Sequence, residues 1–297
     1  GHLLTSSLGI ELRVRPIADY RARAASHSEQ EVERLWAAHS ARYDARRVRP
    51  AELRTALRTA LGIRDVLIEE QAIGFGVNCF GDLIPSGARD VPCLAQTLLR
   101  DEGFLAACDG DFLALASMAL TTGFLDVPCM MSNMYPVRYV GALTDHFGGH
   151  ALSPGRRYPR RRWRNLARLG HCAFVGVISP AMDPAGRVEL ADWGGTWEIP
   201  RDGRGCGNAG RLKAGQPFTG VELKFDGRTL LVAEGRILET TVHRGMPYCE
   251  RTALLEFRDL DGFVREISRE HVVVSYGRHA ARFATLARVL GLSLRVF

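Results

Sequence analysis

No apolar run in this 297-residue chain reaches the roughly 18 to 20 residues that cross a bilayer, and no signal-peptide pattern opens it. Paired cysteines are missing too. The seven present (Cys79, Cys93, Cys108, Cys129, Cys172, Cys206 and Cys249) are odd in number and scattered, with no CxxC pair. That indicates neither a disulfide framework nor a structural zinc site, and fits a reducing, cytoplasmic setting without membrane contact. Nucleophile-elbow, Walker A and dinucleotide fingerprints are absent, as are internal repeats.

What is present is ordinary for a globular protein long enough for two domains: 46% hydrophobic and 24% charged residues. The net charge of +6 comes mostly from arginine, concentrated in Arg156, Arg157, Arg160, Arg161, Arg162, Arg164 and Arg168. Tyr158 and Trp163 interleave with them, but no RNA-binding signature surrounds the stretch. It reads as a solvated loop, with nucleic acid the lesser alternative. The chain opens at Gly1, and "GIELRVRPIADY" reads as a strand leaving a helix end at Gly9, a mid-domain start. A preceding segment, or a naturally short gene, is the expectation.

From Ser28 to Leu61 the pattern is helical, with Ser28 and Glu31 at capping-box spacing and Gly62 as a stop. "AIGFGVNCF" reads as a buried strand, "VPCLAQTLLRDEG" as a helix, "FLAACDGD" as a strand entering a turn, and "FLALASMALTTG" as a helix. Alternation of this kind predicts a partial doubly wound, mostly parallel sheet, with ligands beyond the carboxyl ends of its strands, where Asn78 and Asp109 fall. After Asp126 glycines multiply and short alternating strands appear, among them "KFDGRTLLV" with its Asp-Gly turn. The fold class expected is therefore α/β followed by mainly β. A Rossmann-like domain over 1–124 precedes a β-rich, antiparallel barrel-like domain over 125–297, closed by an amphipathic helix and a short strand.

The densest polar constellation holds Asn78, Asp82, Gln96, Asp109 and Asp111. Two aspartates flanking Gly110 at a strand end can hold a hard divalent cation, although such loops are more often surface turns. His171 and His271 each adjoin an apolar strand, where a lone histidine is usually a core or edge residue. His146 and His150 are spaced H-x-x-x-H, but Gly148 and Gly149 between them argue against the helix that a zinc site would need.

Taken in order, "NCFGDL…VPCLAQTLLRDEGFLAACDGD", "VPCMMSNMYP", "LGHCAFVGVISP" and "REHVVVSYGRHAARFATLARVLGL" resemble the middle and C-terminal domains of the L-fucose/L-arabinose isomerase family. The resemblance spans nearly the whole chain. It implies a cytoplasmic homo-oligomer acting on a small-molecule carbohydrate with Mn²⁺ or another divalent cation. The reaction implied is an intramolecular oxidoreduction, the interconversion of aldoses and ketoses through an enediolate. It places Asp109 at the first acidic ligand, where the family usually has glutamate, His271 at the late histidine ligand, His171 at an assisting histidine, and Asn133 near the second acidic ligand. Catalysis would fall to Asp109, Asn133 and Asp111. An amide cannot serve as a general base, so Asp111 is the nearest candidate for that task. The alternative is a non-catalytic sugar-binding or regulatory protein on a decayed isomerase scaffold. The glycine- and arginine-rich stretch between Asn133 and His171 also raises an anionic or phosphorylated substrate.

Overall fold

The computed structural model describes residues 8–139, 157–172, 174–193, 205–243 and 250–297, with the side chain of Phe80 excepted. Arg156, His146, His150 and Cys249 lie outside the described residues.

Two helices open the described chain, α1 (Ile17–Ser26) and α2 (Glu29–His39). Ser28 caps α2 as the sequence predicts: its hydroxyl accepts from the Glu31 amide while the Glu31 carboxylate accepts from the Ser28 amide. Three local readings need correction. Residues 9–16, expected as a strand, have no regular structure. The helical pattern of 28–61 is interrupted by strand β1 (Tyr43–Arg47) before α3 (Pro50–Glu69) begins. Helix α3 also runs straight through Gly62. A Cβ there would lie 2.3 Å from the Tyr20 carbonyl oxygen and 2.8 Å from the Ala24 amide, so this glycine is where α1 crosses α3 and is no stop signal.

Beyond α3 the alternation follows the predicted order: β2 (Gly74–Gly76), one π-turn (Cys79–Leu83), α4 (Cys93–Asp101), β3 (Leu105–Ala107) and α5 (Phe112–Leu125). Strands β2 and β3 are parallel. Helix α5 is apolar nearly all round, as a helix covered on both sides must be. One side meets β2 and β3, and the other lies against the second half of the chain.

That second half is a barrel, as the sequence pattern predicts. Strands β4 (Cys129–Pro136), β5 (Leu166–Gly170), β8 (Pro217–Leu223), β9 (Thr229–Val242), β10 (Arg251–Phe257) and β11 (His271–Tyr276) form a closed antiparallel ring in the order β10-β5-β4-β11-β8-β9, with β9 returning to β10. The turn at Asp226 and Gly227 joins β8 to β9, with Gly227 at φ +63°. After α6 (Leu260–Glu266) and β11, α7 (Ala280–Leu290) leads to β12 (Ser293–Val296), parallel to β9. Alternation sorts the strands' side chains. Met130, Met134, Leu169, Phe218, Ala253 and Phe257 fill the interior, while Met131, Val221 and Val273 face outward under α5 and α7.

The two halves are interleaved. Strands β6 (Val188–Asp192) and β7 (Cys206–Asn208) leave the barrel region and form a sheet with β1, β6 lying parallel to it. Trp193 and Cys206 thereby enter the same core as Tyr20, Tyr43 and Leu61.

The barrel closes at Gly235, which pairs with Phe218 on one side and Phe257 on the other. A Cβ at this position would stand 2.0 Å from the Glu256 carbonyl oxygen and 2.6 Å from the Phe218 ring. Gly235→Ala should therefore cost about 3 kcal/mol of stability through overpacking at the seam. Denaturant unfolding of the variant checks this, and an unchanged midpoint would show that the seam opens without strain.

Candidate metal centre

The chain passes from β3 to α5 in four residues. Asp109 and Gly110 both take left-handed backbone conformations, with φ +55° and +65°. Asp is among the few residues that tolerate this region. The Gly110 amide donates to the Val77 carbonyl at 3.0 Å, and the buried Gln96 braces the same strand end by donating to the Ala107 carbonyl at 2.9 Å. Asp111 then caps α5, its Oδ1 accepting from the Ala114 amide at 2.8 Å. One tight turn thus presents two carboxylates to the barrel.

The barrel rim supplies the rest. His271 is the first residue of β11 and pairs directly with Asn133 of β4, which in turn pairs with Gly170 at the end of β5. His171 follows, held by mutual backbone hydrogen bonds with Phe174, and Cys172 beside it is forced to φ +44°.

Asp109, His171 and His271 converge. Their ligand atoms all lie within 4.8 Å of one another. The Asp109 Oδ2 is 3.1 Å from His171 Nε2 and 3.5 Å from His271 Nε2, and the two imidazole centres are 5.7 Å apart. Asn133 joins them through its pairing with His271. Its amide nitrogen donates to the Tyr135 hydroxyl at 3.0 Å, while its Oδ1 has no hydrogen-bond partner. Asp109 Oδ1 and His271 Nε2 are likewise buried without one. Within the cluster itself, an unsatisfied carboxylate oxygen and an unsatisfied imidazole nitrogen would be costly unless something binds there. Carboxylate and amide oxygens with imidazole nitrogens suit a borderline-hard divalent cation such as Mn²⁺.

Asp111 stands one step back. Its Oδ2 meets His271 Nδ1 at 2.8 Å and Arg269 Nε at 2.8 Å. Carboxylates commonly hold a metal-ligating histidine in this way, fixing the ring and directing its other nitrogen at the cation. Behind Arg269, at 3.8 Å from its Nη1, lies the fully buried Glu222, which accepts from the amide and hydroxyl of Ser268 at 2.8 and 2.6 Å. Burial pushes the Glu222 carboxyl above its ordinary range, against the Ser268 donors and Arg269.

The local field is strongly coupled. Burial works to raise the Asp109 carboxyl, but the two imidazoles overcome it and hold the group well below the usual carboxylate range. Asp111 is lowered against burial by His271, Arg269 and the Ala114 amide. For His271 burial acts downward, yet its contacts with Asp109 and Asp111 raise it to about 9.

The other sequence candidates lie apart from this cluster. Asn78 caps the π-turn, its Oδ1 accepting from the Gly81 amide at 3.2 Å, and Asp82 is exposed. Both line a cavity of about 930 Å³ that also reaches Asp109 and Gly110. In the arginine stretch, Arg157 and Arg162 pair with Glu239 and Glu256, while Arg160 lies over Trp163. Arg269, Glu222 and Tyr135 escape sequence reasoning. Arg269 stands two residues before His271, the one local hint, and a buried Glu222 in an alternating strand gives none.

Residues 5–123 match the family model of the L-arabinose isomerase central domain, a stretch that includes Asp109 and Asp111 but not Asn133, His171 or His271. No curated protein matches the chain.

Asp111→Ala should lower stability by about 1–2 kcal/mol through loss of the α5 cap and of the carboxylate against Arg269 and His271. Urea unfolding measures it. A variant as stable as the parent would mean that the cap is replaceable by water.

Proposed function

We propose that this chain, which belongs to the L-fucose/L-arabinose isomerase-like family through its residues 5–123, is a metal-dependent aldose–ketose isomerase acting on a sugar or sugar derivative. The observation that carries this reading is the convergence of Asp109, His171 and His271 on one point at the barrel rim. Asp109, His271 and Asn133 Oδ1 would hold the cation, with His171 completing or assisting the set. When bound, it would supply a Lewis acid that polarises the substrate carbonyl and makes the neighbouring C–H more acidic.

The chain's own groups divide the remaining work. Asp111 has both oxygens engaged, so it orients His271 and leaves proton transfer to others. With Oδ2, the oxygen that faces both imidazoles, directed at the cation, Asp109 Oδ1 is left to take the proton from C2 of an aldose and return it to C1 through the substrate enediolate. A second proton passes from the C2 hydroxyl to the former carbonyl oxygen, so no electron or atom leaves the substrate. The Asn133 amide, anchored by Tyr135, cannot titrate and serves as a fixed acceptor. Free thiols at Cys79, Cys93, Cys108, Cys129, Cys172 and Cys206 accord with a reducing compartment, and no helix among the described residues is long and apolar enough to cross a membrane.

A second reading, sugar binding without turnover, is favoured by Asn133 standing where the family resemblance implies an acid. One experiment separates the two. Mn²⁺-loaded protein incubated with aldoses in D₂O should incorporate deuterium at C1 or C2. Calorimetric sugar binding without any wash-in would establish the binding protein instead.

The site assignment has its own check. Asp109→Ala and His271→Ala should each weaken Mn²⁺ binding by more than about 100-fold, and Asp111→Ala by about 10- to 100-fold, the range typical of groups that orient a ligand. Unchanged Mn²⁺ affinity in the first two variants would remove the site.

A further inference from the structure

The parallel pair β2–β3 leaves one edge open. The Leu105 amide donates to the Ile73 carbonyl and the Gly110 amide to the Val77 carbonyl, so the odd-numbered carbonyls of this stretch face β3. Successive residues of a strand turn their N–H and C=O groups to opposite sides, which points those of Gly74 and Gly76 the other way. Among the described residues no strand pairs with that edge. It borders the cavity of about 930 Å³ that reaches Asp109 and Gly110. One face of α3 (Ile63, Val66 and Leu67) and one face of α5 (Phe112, Leu115 and Ala119) wall this space. An open strand edge with apolar helix faces beside it is the setting that a further strand takes in an α/β sheet.

Residues 9–16 run along the same cavity. Ile10, Leu12 and Val14 line it and alternate with Glu11, Arg13 and Arg15, the pattern of a half-buried strand, although the segment is irregular. No backbone hydrogen bond among the described residues holds Glu11 to Arg15. Val14 and Ile73, both on this cavity, are 82% and 66% exposed. Charged side chains at the rim tie the segment down. Arg13 donates to the Glu70 carboxylate at 3.0 Å and to its carbonyl at 3.3 Å, and Arg15 meets Glu70 and Asp19 at 2.9 Å each. Gly9, at φ +67° with nothing crowding it, lets one end swing, while α1 fixes the other. Unpaired backbone groups thus border one apolar space from two sides.

We propose that residues 10–14 form a strap with two seats. One is the irregular seat described, tied to Glu70. In the other the strap pairs with β2 as a third strand, fills the cavity and covers the Asp109–Gly110 turn on that side. A second copy of the chain would have to bring its own sheet past α3 and α5, whereas a single extended segment fits between them. In the second seat Ile10, Leu12 and Val14 face α5, whose core Leu8 and Ile10 already pack against. Glu11, Arg13 and Arg15 stay on the rim, where charges on an edge strand keep other chains away. Closing exchanges exposed ion pairs, which salt weakens, for backbone pairing and apolar burial, which it does not. Added salt therefore moves the strap from the first seat to the second.

Residue-resolved amide hydrogen exchange on the full chain tests this. Raising NaCl from low concentration to about 0.5 M, where the Debye length falls to a few ångströms, should slow exchange of the Gly74 and Gly76 amides about tenfold or more. The Leu105 amide, already bonded to Ile73, should not change and serves as the control. Glu70→Gln, which removes the tether's charge, should give the same protection without added salt. Leu12→Asp places a carboxylate where the seated strap buries a leucine, and should abolish the protection in salt and in the Glu70→Gln background. An unchanged Leu105 amide in that variant shows that the sheet itself is intact. Fast exchange of Gly74 and Gly76 under every condition, slow exchange that neither salt nor Glu70→Gln alters, or protection that survives Leu12→Asp would each overturn the proposal.

Discussion

The contact between Asp111 and His271 is the joint on which the molecule's chemistry hangs. It links the cap of a helix in the α/β part to the first residue of a barrel strand, 2.8 Å from oxygen to nitrogen, with both side chains largely buried. Charge-assisted bonds of this kind are stronger where solvent cannot compete. Everything around it is arranged to keep it made. Arg269 grips the same carboxylate, Glu222 lies against Arg269 from within the barrel wall, and α5 is pressed by apolar contacts between the parallel strands and the barrel. The position of Asp109 follows from this joint, since it precedes the cap by two residues with both intervening dihedrals fixed.

That rigidity bears on how the site works. Asp109 sits in a backbone conformation that costs most residues about 1–2 kcal/mol, and Cys172 beside His171 does the same. Two such positions flanking one cluster mean that its side chains are held in place by the backbone. The side chain of Asp109 is short, and the left-handed turn brings its backbone close enough for it to meet both imidazoles.

Much of this was legible in the sequence, and the exceptions are instructive. Ser28 and Glu31 are read correctly because a cap is a local device, complete within four residues. The turn at Asp226 and Gly227 is legible for the same reason. The alternation of β8 to β11 reveals a barrel because one face of each strand must be apolar. Asp109, His171 and His271 could not be joined by any local rule, since each is an unremarkable residue at a strand end, and their order along the chain carried the connection. Strand β1 and the irregular stretch 9–16 escape local reading because five to eight residues with mixed polarity fit several conformations equally well, and distant contacts decide. Gly62 looked like a terminator because the neighbour that requires it, Tyr20, lies forty residues earlier. Glu222 and Arg269 gave almost no signal, as buried polar partners find each other only in the folded state.

The interleaving of β6 and β7 with β1 has a consequence for the order of events during synthesis. Tyr43 pairs with Val188, and the Gly205 amide closes on the Glu52 carboxylate across 153 positions of chain. As the polypeptide emerges, the first sheet has only an unmatched edge strand, and Tyr20, Tyr43 and Leu61 wait for Trp193 to complete their core. Contacts of such long separation form slowly, because the entropy of closing the loop is spent before the pairing returns it. The nascent α/β part is thus exposed at the ribosome until the chain has passed beyond Asn208, and its early sheet edge is a surface for chaperones, or for its own kind, to hold in the interval.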